Sequence, residues 1–177
     1  MSETPLALVL LDRDGTLNVK AEEGRYVTEA ADLVLLPGAA EAVRRLNASG
    51  ARVAVVTNQR AVARGLLTAE RLDELHAVLA EQLAAADAHV DAVYSCPHEI
   101  GACECRKPQP GMLRSALRDF AVAPSQAVMI GDADSDVQAG RGAAVRTIQL
   151  TTTPEQSAAD ATAPDLLSAV DALLGNP

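Results

Sequence analysis

Two aspartates follow the first apolar run of the sequence at a spacing that can bring their carboxylates together. Asp12 and Asp14 are two residues apart at the end of that run, and Gly15, which permits a sharp turn, comes next. Two like charges held close to each other need a cation. Asp132, with Asp136 just behind it, would complete an oxygen-rich site. This set of ligands suits Mg²⁺, which prefers a few carboxylates together with water and phosphate oxygens.

Each of these aspartates, taken alone, has a simpler interpretation. Aspartates at strand ends often cap turns or helices. An EF-hand does not explain the sequence DRDG, because its glycine comes too early and no later ligand pattern follows. The four aspartates taken together favour a metal site.

All three cysteines of the chain lie in one short segment with a histidine. Cys96, His98, Cys103 and Cys105 form the pattern C-x-H-x4-C-x-C. This is a complete tetrahedral shell for Zn²⁺, and a shell with no position left for water is structural. The alternative is a group of buried or incidental cysteines beside an unrelated histidine. The density of ligands favours a zinc-binding loop.

Other polar residues near these segments could contact a phosphate group. Thr57 and Asn58 offer a hydroxyl and an amide, although such a pair is also ordinary loop chemistry. Lys107 follows the cysteine segment and would supply a fixed positive charge, whereas an isolated lysine usually lies at the surface. His76 and His89 are most simply surface or packing residues.

The elements that must position these residues alternate along the chain. Short apolar runs without clean alternation predict strands buried on both faces of a parallel sheet, at 6–11, 52–56, 91–95, 126–130 and 145–150. Helices are predicted from apolar periodicity and end signals at 37–50, 69–86 with Thr68 as the cap, 110–120 and 164–175. This order predicts a doubly wound parallel α/β sheet in a single domain, 1–177.

A parallel sheet places the polar segments in one region. Ligands of open parallel sheets bind beyond the carboxyl ends of the strands. The segments DRDGTLN, TNQ, CPHEIGACECRK and GDADSD each follow a predicted strand. We therefore expect these four loops to converge on one crevice.

Composition excludes several classes of function. The net charge of −9 and the aromatic content of 2% argue against nucleic-acid binding. No apolar run approaches the length that would cross a membrane, and an odd number of cysteines argues against a disulfide framework. We expect a soluble cytoplasmic protein with reduced thiols that acts as a monomer.

The motifs LDRDGTLN, TNQ, CRKP and GDADSD resemble the four motifs of the haloacid dehalogenase superfamily of phosphohydrolases, and the resemblance covers about residues 6–150. It implies that Asp12 is a nucleophile that attacks phosphorus and that Asp14 is the general acid and then the general base. It also implies that Thr57 and Lys107 hold the transferring phosphoryl group. Mg²⁺ would be held by Asp12, the Asp14 carbonyl and Asp132.

Finer matches, including GRYV and CPHEIGACECRKPQPGML, resemble a branch of that superfamily that hydrolyses a sugar bisphosphate. The alternatives are its relative that acts on histidinol phosphate, or another small-molecule phosphatase of the superfamily. A zinc-stabilised binding module without catalysis is a third interpretation. Retention of all the motif residues argues against it.

The same resemblance implies how the substrate is selected. The zinc loop would shape the pocket and present Arg106 to the substrate, with Asn58 and Arg64 as further contacts. The two arginines suit a substrate with a second anionic group. The segment between the first motif and Pro37 is too short for a folded cap domain. Similar enzymes usually read TNQSGIARG, whereas this chain has Arg60 and Ala61 in that loop.

Overall fold

The structure is a computed structural model that describes residues 5–175. Six strands form one parallel sheet in the order β3-β2-β1-β4-β5-β6. All five predicted strands are present, with ends that differ by one or two residues. The sixth, β6, was not predicted because it has only three residues and pairs with β5 alone. The strands are β1 (Leu8–Leu11), β2 (Arg52–Asn58), β3 (Ala92–Cys96), β4 (Ala127–Gly131), β5 (Arg146–Leu150) and β6 (Ala161–Ala163).

Five α-helices connect or follow the strands in the described part of the chain. Four of them were predicted, and the Thr68 side chain accepts a hydrogen bond from the Arg71 amide at the start of the second, at 3.1 Å. The fourth was not predicted, because Gly140 and Gly142 give its segment a low helix propensity. The helices are α1 (Ala39–Ala48), α2 (Ala69–Ala84), α3 (Gly111–Asp119), α4 (Asp134–Gly142) and α5 (Leu166–Leu174).

Helices cover both faces of the sheet. On β1, Val9 and Leu11 pack into the core that contains the apolar faces of α1, α2 and α5. Leu8 and Leu10 pack into the second core, with residues of α3 and α4. All four residues are fully buried. Burial on both faces explains why the strand reads as a continuous apolar run.

The strand order reverses direction between β1 and β4. The chain builds the sheet outward from β1 through β2 to β3, then returns to the other side of β1 to form β4. The loops that follow β1 and β4 are therefore neighbours, and the Asp12 amide donates to the Ile130 carbonyl at 3.0 Å. A crevice at such a reversal is the usual ligand site of this architecture.

The segment between β1 and α1 forms no folded cap, as predicted. It contains one short 3₁₀ turn, Ala30–Asp32, and two isolated bridges that involve Asn18. Within residues 5–175, no helix is both long enough and apolar enough to cross a membrane.

Candidate active site

Three carboxylates meet where β1 and β4 end. Asp12 follows β1, Asp132 follows β4, and Asp136 lies in the first turn of α4. One oxygen of each lies within 4.8 Å of the others. The sequence predicted this convergence from the carboxyl ends of the strands, and the structure confirms that these three residues come together.

Two glycines make room for the carboxylates. Gly15 has a φ of +90°, and a Cβ atom there would lie 2.5 Å from Asp132 Oδ2. Gly131 faces Asp136, and a Cβ atom at Gly131 would overlap that carboxylate. A side chain at either position would therefore displace a member of the acidic cluster.

The acidic cluster fits Mg²⁺. The Oδ1 atom of Asp132 is buried and has no hydrogen-bond partner among the residues of 5–175, so it lacks the partner that a buried oxygen needs. Three converging carboxylates are the hard oxygen ligands that Mg²⁺ prefers. Asp12, Asp132 and Asp136 could therefore hold this ion.

The two lysines of the chain both contact this cluster. The Lys107 ammonium is buried and lies 2.8 Å from Asp12 Oδ1 and 2.6 Å from Asp136 Oδ1, and it donates to the Val56 carbonyl at 2.7 Å. The Lys20 ammonium is exposed and lies 2.9 Å from Asp132 Oδ2. The prediction that Lys107 is more than a surface lysine agrees with its complete burial.

Burial sets the protonation of the Asp12–Lys107 pair. It raises the pKa of Asp12 to about 7, against the opposing charge of Lys107. Burial alone would lower the pKa of Lys107, but the charges of Asp12 and Asp136 outweigh it and raise that pKa. A bound divalent cation would favour the ionised form of Asp12.

Asp14 lies outside the acidic cluster and has its own partners. Arg13 donates to both carboxylate oxygens of Asp14, at 2.9 and 3.0 Å, and its side chain is fully buried. Asn18 and Gln59 each add a hydrogen bond at 2.9 Å. His76 lies behind Arg13, with 3.4 Å between Nε2 and Nη1. The carboxylate of Asp14 is thus held from three sides.

Arg13 was not predicted as a site residue, although an arginine placed between Asp12 and Asp14, just beyond β1, is a signal of a paired charge. It assigned His76 to the surface or to packing, and the structure shows it half-buried against Arg13. Burial, with the charge of Arg13, lowers the pKa of His76 to about 4. The imidazole is therefore neutral near pH 7 and can accept from the guanidinium.

The end of β2 supplies three polar side chains with different roles. Thr57 and Asn58 are the last residues of this strand rather than the start of a loop, and Thr57 is buried. Gln59 donates to Thr57 Oγ1 at 2.8 Å. Asn58 was predicted to contact the substrate, but its amide donates to the Lys107 carbonyl at 2.9 Å and accepts from the Lys107 amide at 3.0 Å. Asn58 therefore positions the main chain of Lys107.

The four zinc-ligand candidates also come together. Cys96 ends β3, and the other three residues lie in the following loop. The three sulfurs are 3.2–3.5 Å apart, and His98 Nδ1 lies 3.2 Å from Cys105 Sγ. All four ligand atoms lie within 4.8 Å of one another, so they could hold one metal ion. The Arg106 amide points to Cys103 Sγ at 3.4 Å, which ties the next segment to this cluster.

A cavity of about 360 Å³ opens above the acidic cluster. Its walls include Asp12, Asp14, Thr57, Asn58, Arg106 and Lys107, together with residues 20–27 and Arg60. Arg64, which was predicted to contact the substrate, does not line this cavity. Its Nε atom lies 3.5 Å from Glu99 Oε2. The structure therefore brings Arg60, rather than Arg64, to the cavity wall.

The chain is similar to phosphatases of known name. It matches the haloacid dehalogenase-like hydrolase family over residues 6–144. D-glycero-beta-D-manno-heptose-1,7-bisphosphate 7-phosphatase of Haemophilus influenzae is 36% identical over 145 residues, which are 78% of this chain and 77% of that protein. The enzyme of the same name from Salmonella typhi is 38% identical over 162 residues, 86% of this chain and 84% of that protein.

A solved structure gives the same result. The D,D-heptose 1,7-bisphosphate phosphatase of B. bronchiseptica, complexed with magnesium and phosphate, superimposes with a TM-score of 0.89 at 30% identity. The match covers 97% of this chain and 99% of that one. Family match, sequence identity and structural similarity agree, and this chain therefore belongs to the haloacid dehalogenase-like hydrolases.

Proposed function

We propose that this protein is a Mg²⁺-dependent phosphatase that removes the 7-phosphate of D-glycero-D-manno-heptose 1,7-bisphosphate. The observation that carries the proposal is that Asp12, Asp132 and Asp136 converge where β1 and β4 end, with Lys107 paired to Asp12 and Asp136 on the wall of the adjoining cavity. The names of the similar enzymes support the choice of substrate. Phosphate release with and without Mg²⁺ tests the activity. A binding module without catalysis would release none.

In the proposed reaction, an oxygen of Asp12 attacks the 7-phosphorus, and the bond from phosphorus to the sugar oxygen breaks. Asp14 donates a proton to the departing oxygen and then takes a proton from the water that hydrolyses the aspartyl phosphate. Inorganic phosphate leaves and Asp12 is regenerated. The hydrogen bonds from Arg13, Asn18 and Gln59 hold the Asp14 carboxylate in one orientation for both proton transfers.

Charge on the phosphoryl group would be stabilised by Lys107 and Thr57. Lys107 is already fixed by two carboxylates and a carbonyl, so no side chain must be ordered when the substrate binds. The Mg²⁺ ligands are proposed to be Asp12, the Asp14 carbonyl and Asp132, while Asp136 of the same cluster pairs with Lys107 at 2.6 Å. The ion would neutralise charge on the phosphate oxygens.

We also propose that Cys96, His98, Cys103 and Cys105 bind one structural Zn²⁺. Three thiolates and one imidazole complete a tetrahedral shell, so this ion would have no site for substrate. Its role would be to order the loop that presents Arg106 and Lys107. Because the three cysteines are free and lie in one cluster, we place the protein in the cytoplasm, where thiols stay reduced. All residues of the acidic cluster and of the cysteine cluster come from one chain, so the site needs no second subunit, and we propose a monomer.

Purified protein is expected to contain about one zinc per chain that mild chelation does not remove, while activity still requires added Mg²⁺. Cys103→Ser should lower zinc content, thermal stability and activity together, because Arg106 and Lys107 lose their anchor. Elemental analysis and thermal melting measure these effects. Protein that contains no zinc yet keeps the stability and activity of the zinc-loaded form would contradict the structural site.

Substrate preference provides a second test in solution. A cavity wall with arginines beyond those needed at the scissile phosphate favours a substrate with a second anionic group, whereas histidinol phosphate carries a cationic amine. We expect kcat/KM for the heptose bisphosphate to exceed that for histidinol phosphate by at least roughly a hundredfold, which is about 3 kcal/mol. Both anomers of the bisphosphate should be assayed. An equal or reversed preference would support the histidinol phosphatase alternative.

A further inference from the structure

The structure places an unpredicted arginine on the cavity wall. We propose that Arg60 is the specificity-determining residue that binds the second, non-reacting phosphate of the substrate. This inference rests on the proposed function, because it requires a substrate with two phosphates.

Arg60 lies close to the reacting groups. It follows Gln59, whose amide contacts both Asp14 Oδ2 and Thr57 Oγ1. Its side chain is 22% exposed and lines the same cavity as Asp12. A ligand that places one phosphate at Asp12 could therefore extend along this wall toward Arg60.

The guanidinium of Arg60 is held in place by two other loops. Its Nε donates to the Tyr26 hydroxyl at 3.1 Å, and Tyr26 belongs to the segment after β1 that lines the cavity. Its Nη1 lies 3.2 Å from Glu99 Oε1, and Glu99 lies in the cysteine-rich loop. Three loops thus meet at one side chain. A guanidinium fixed in this way loses little conformational entropy when an anion binds.

Donors remain for an anion after these contacts. Within residues 5–175, Nη2 of Arg60 makes no hydrogen bond with the protein. The Tyr26 hydroxyl accepts from Arg60, so its own proton is free to be donated. An arginine Nη2 and a tyrosine hydroxyl on the same wall form a suitable pair of donors for phosphate oxygens.

The carboxylate of Glu99 does not fully offset the charge of Arg60, because it also pairs with Arg64. Glu99 is shared between Arg60 and Arg64, whose Nε lies 3.5 Å from the other carboxylate oxygen. Two cations face one carboxylate. Burial alone would raise the pKa of Glu99, but the Ile100 amide and the two arginines outweigh it and lower that pKa. Arg64, which does not line the cavity, thus offsets part of the charge of Glu99.

Other cations on the wall have different partners. Lys20 and Lys107 are paired with the acidic cluster, and Arg25 lies 3.9 Å from Glu22 Oε2. Arg106 also lines the cavity, and its Nη1 points to the His98 carbonyl at 3.4 Å. Because Arg106 has no carboxylate partner in the described residues, an experiment must separate it from Arg60.

The test compares D-glycero-D-manno-heptose 1,7-bisphosphate with the matching 7-phosphate, which lacks the second phosphate. The measured quantity is the ratio of the two kcat/KM values. We expect the wild-type ratio to be at least roughly 30, and Arg60→Gln to lower the ratio by about tenfold or more. The control is Arg71→Gln, which removes a surface arginine paired with Glu29 and Glu74 and should leave the ratio unchanged.

Each outcome decides a separate point. A wild type that hydrolyses neither substrate overturns the proposed function and this inference with it. A wild type that hydrolyses both equally well overturns the inference alone. If Arg60→Gln lowers kcat/KM equally for both substrates, Arg60 has a structural role. If Arg106→Gln lowers the ratio of the two kcat/KM values and Arg60→Gln does not, Arg106 binds the second phosphate. Either result overturns the inference.

A conservative variant covers the case in which Arg60→Gln does not fold. Arg60→Lys keeps the charge but loses the planar fork, so its ratio should lie below that of the wild type by about threefold or more. An unchanged ratio in Arg60→Lys, with Arg60→Gln unfolded, overturns the inference.

Discussion

Asp12→Asn is expected to lower kcat by about 10⁴-fold or more while the fold stays intact. The substitution removes the proposed attacking oxygen and one proposed Mg²⁺ ligand. An asparagine carbonyl can still accept from the Lys107 ammonium, which contacts Asp12 Oδ1 at 2.8 Å, so the local packing should persist. Steady-state kinetics and circular dichroism measure the two parts of this prediction.

The binding of Mg²⁺ gives this variant a second readout. A ligand that binds only the folded state raises the melting temperature. Because Asp12→Asn removes one of the clustered carboxylates, Mg²⁺ should raise its melting temperature less than it raises that of the wild type. This readout does not depend on turnover.

Asp134→Asn is the matched control for Asp12→Asn. Asp134 belongs to the same acidic motif, but it is exposed and its carboxylate accepts a hydrogen bond from Gln149 at 3.0 Å. An asparagine can accept the same bond, so activity should change less than about threefold.

If Asp12→Asn kept about a tenth of wild-type activity, the covalent mechanism would be wrong.

The convergence of the candidate metal ligands could be predicted from the sequence because parallel strands impose a simple rule. Each of the strands β1 to β4 appears as an apolar run, and the polar residues that follow each run must lie at one edge of the sheet. The placement of Asp12, Asp132 and the cysteine loop at this edge follows from the strand pattern alone. The order of the six strands does not affect this convergence, since the carboxyl ends meet at one edge in any parallel order.

The remaining site contacts depend on distances that the sequence does not encode. Asn58 was predicted to contact the substrate; it lines the cavity, and the register of β2 also brings it beside the main chain of Lys107, 49 residues away. Arg64 and Arg60 lie on the same loop and differ only in which side of it they occupy. Three-dimensional packing brings both side chains to Glu99, but only that of Arg60 also lines the cavity.

Two elements were missed for local reasons. β6 is the short sequence Ala-Thr-Ala, whose composition does not separate it from a loop. α4 contains Gly140, where a Cβ atom would overlap the Thr147 side chain on β5. The glycine lowers helix propensity but allows the helix to approach the sheet closely. Close packing of the helix on the sheet thus outweighs the low helix propensity of this glycine.

Lys107→Met should destabilise the protein strongly as well as inactivate it. The Lys107 ammonium lies between Asp12 and Asp136, and all three residues are buried. Removing one partner of a buried ionic group leaves the others uncompensated, which costs about 3–5 kcal/mol. We expect the free energy of unfolding in metal-free buffer to fall by about this amount, and kcat/KM to fall by about 10³-fold.

The loss of stability in Lys107→Met should grow as pH rises. Lys107 lowers the pKa of Asp12, so its removal should raise that pKa above the wild-type value of about 7. The folded variant then holds a proton that the unfolded chain releases near the ordinary value of 3.8. Because the folded state binds more protons, stability falls as pH rises, and the gap between variant and wild type should widen from about pH 6 to pH 8.

Lys20→Met supplies the control, because it removes the other lysine of the same cluster. Lys20 is 57% exposed and contacts Asp132 at 2.9 Å, so the stability change should stay within about 1 kcal/mol. Mg²⁺ should recover part of the stability lost in Lys107→Met, since a cation at the acidic cluster offsets the same repulsion. Denaturant unfolding at several pH values, with and without Mg²⁺, measures these effects. If Lys107→Met and Lys20→Met were equally stable across this range, the ion pairs of Lys107 would not stabilise the site.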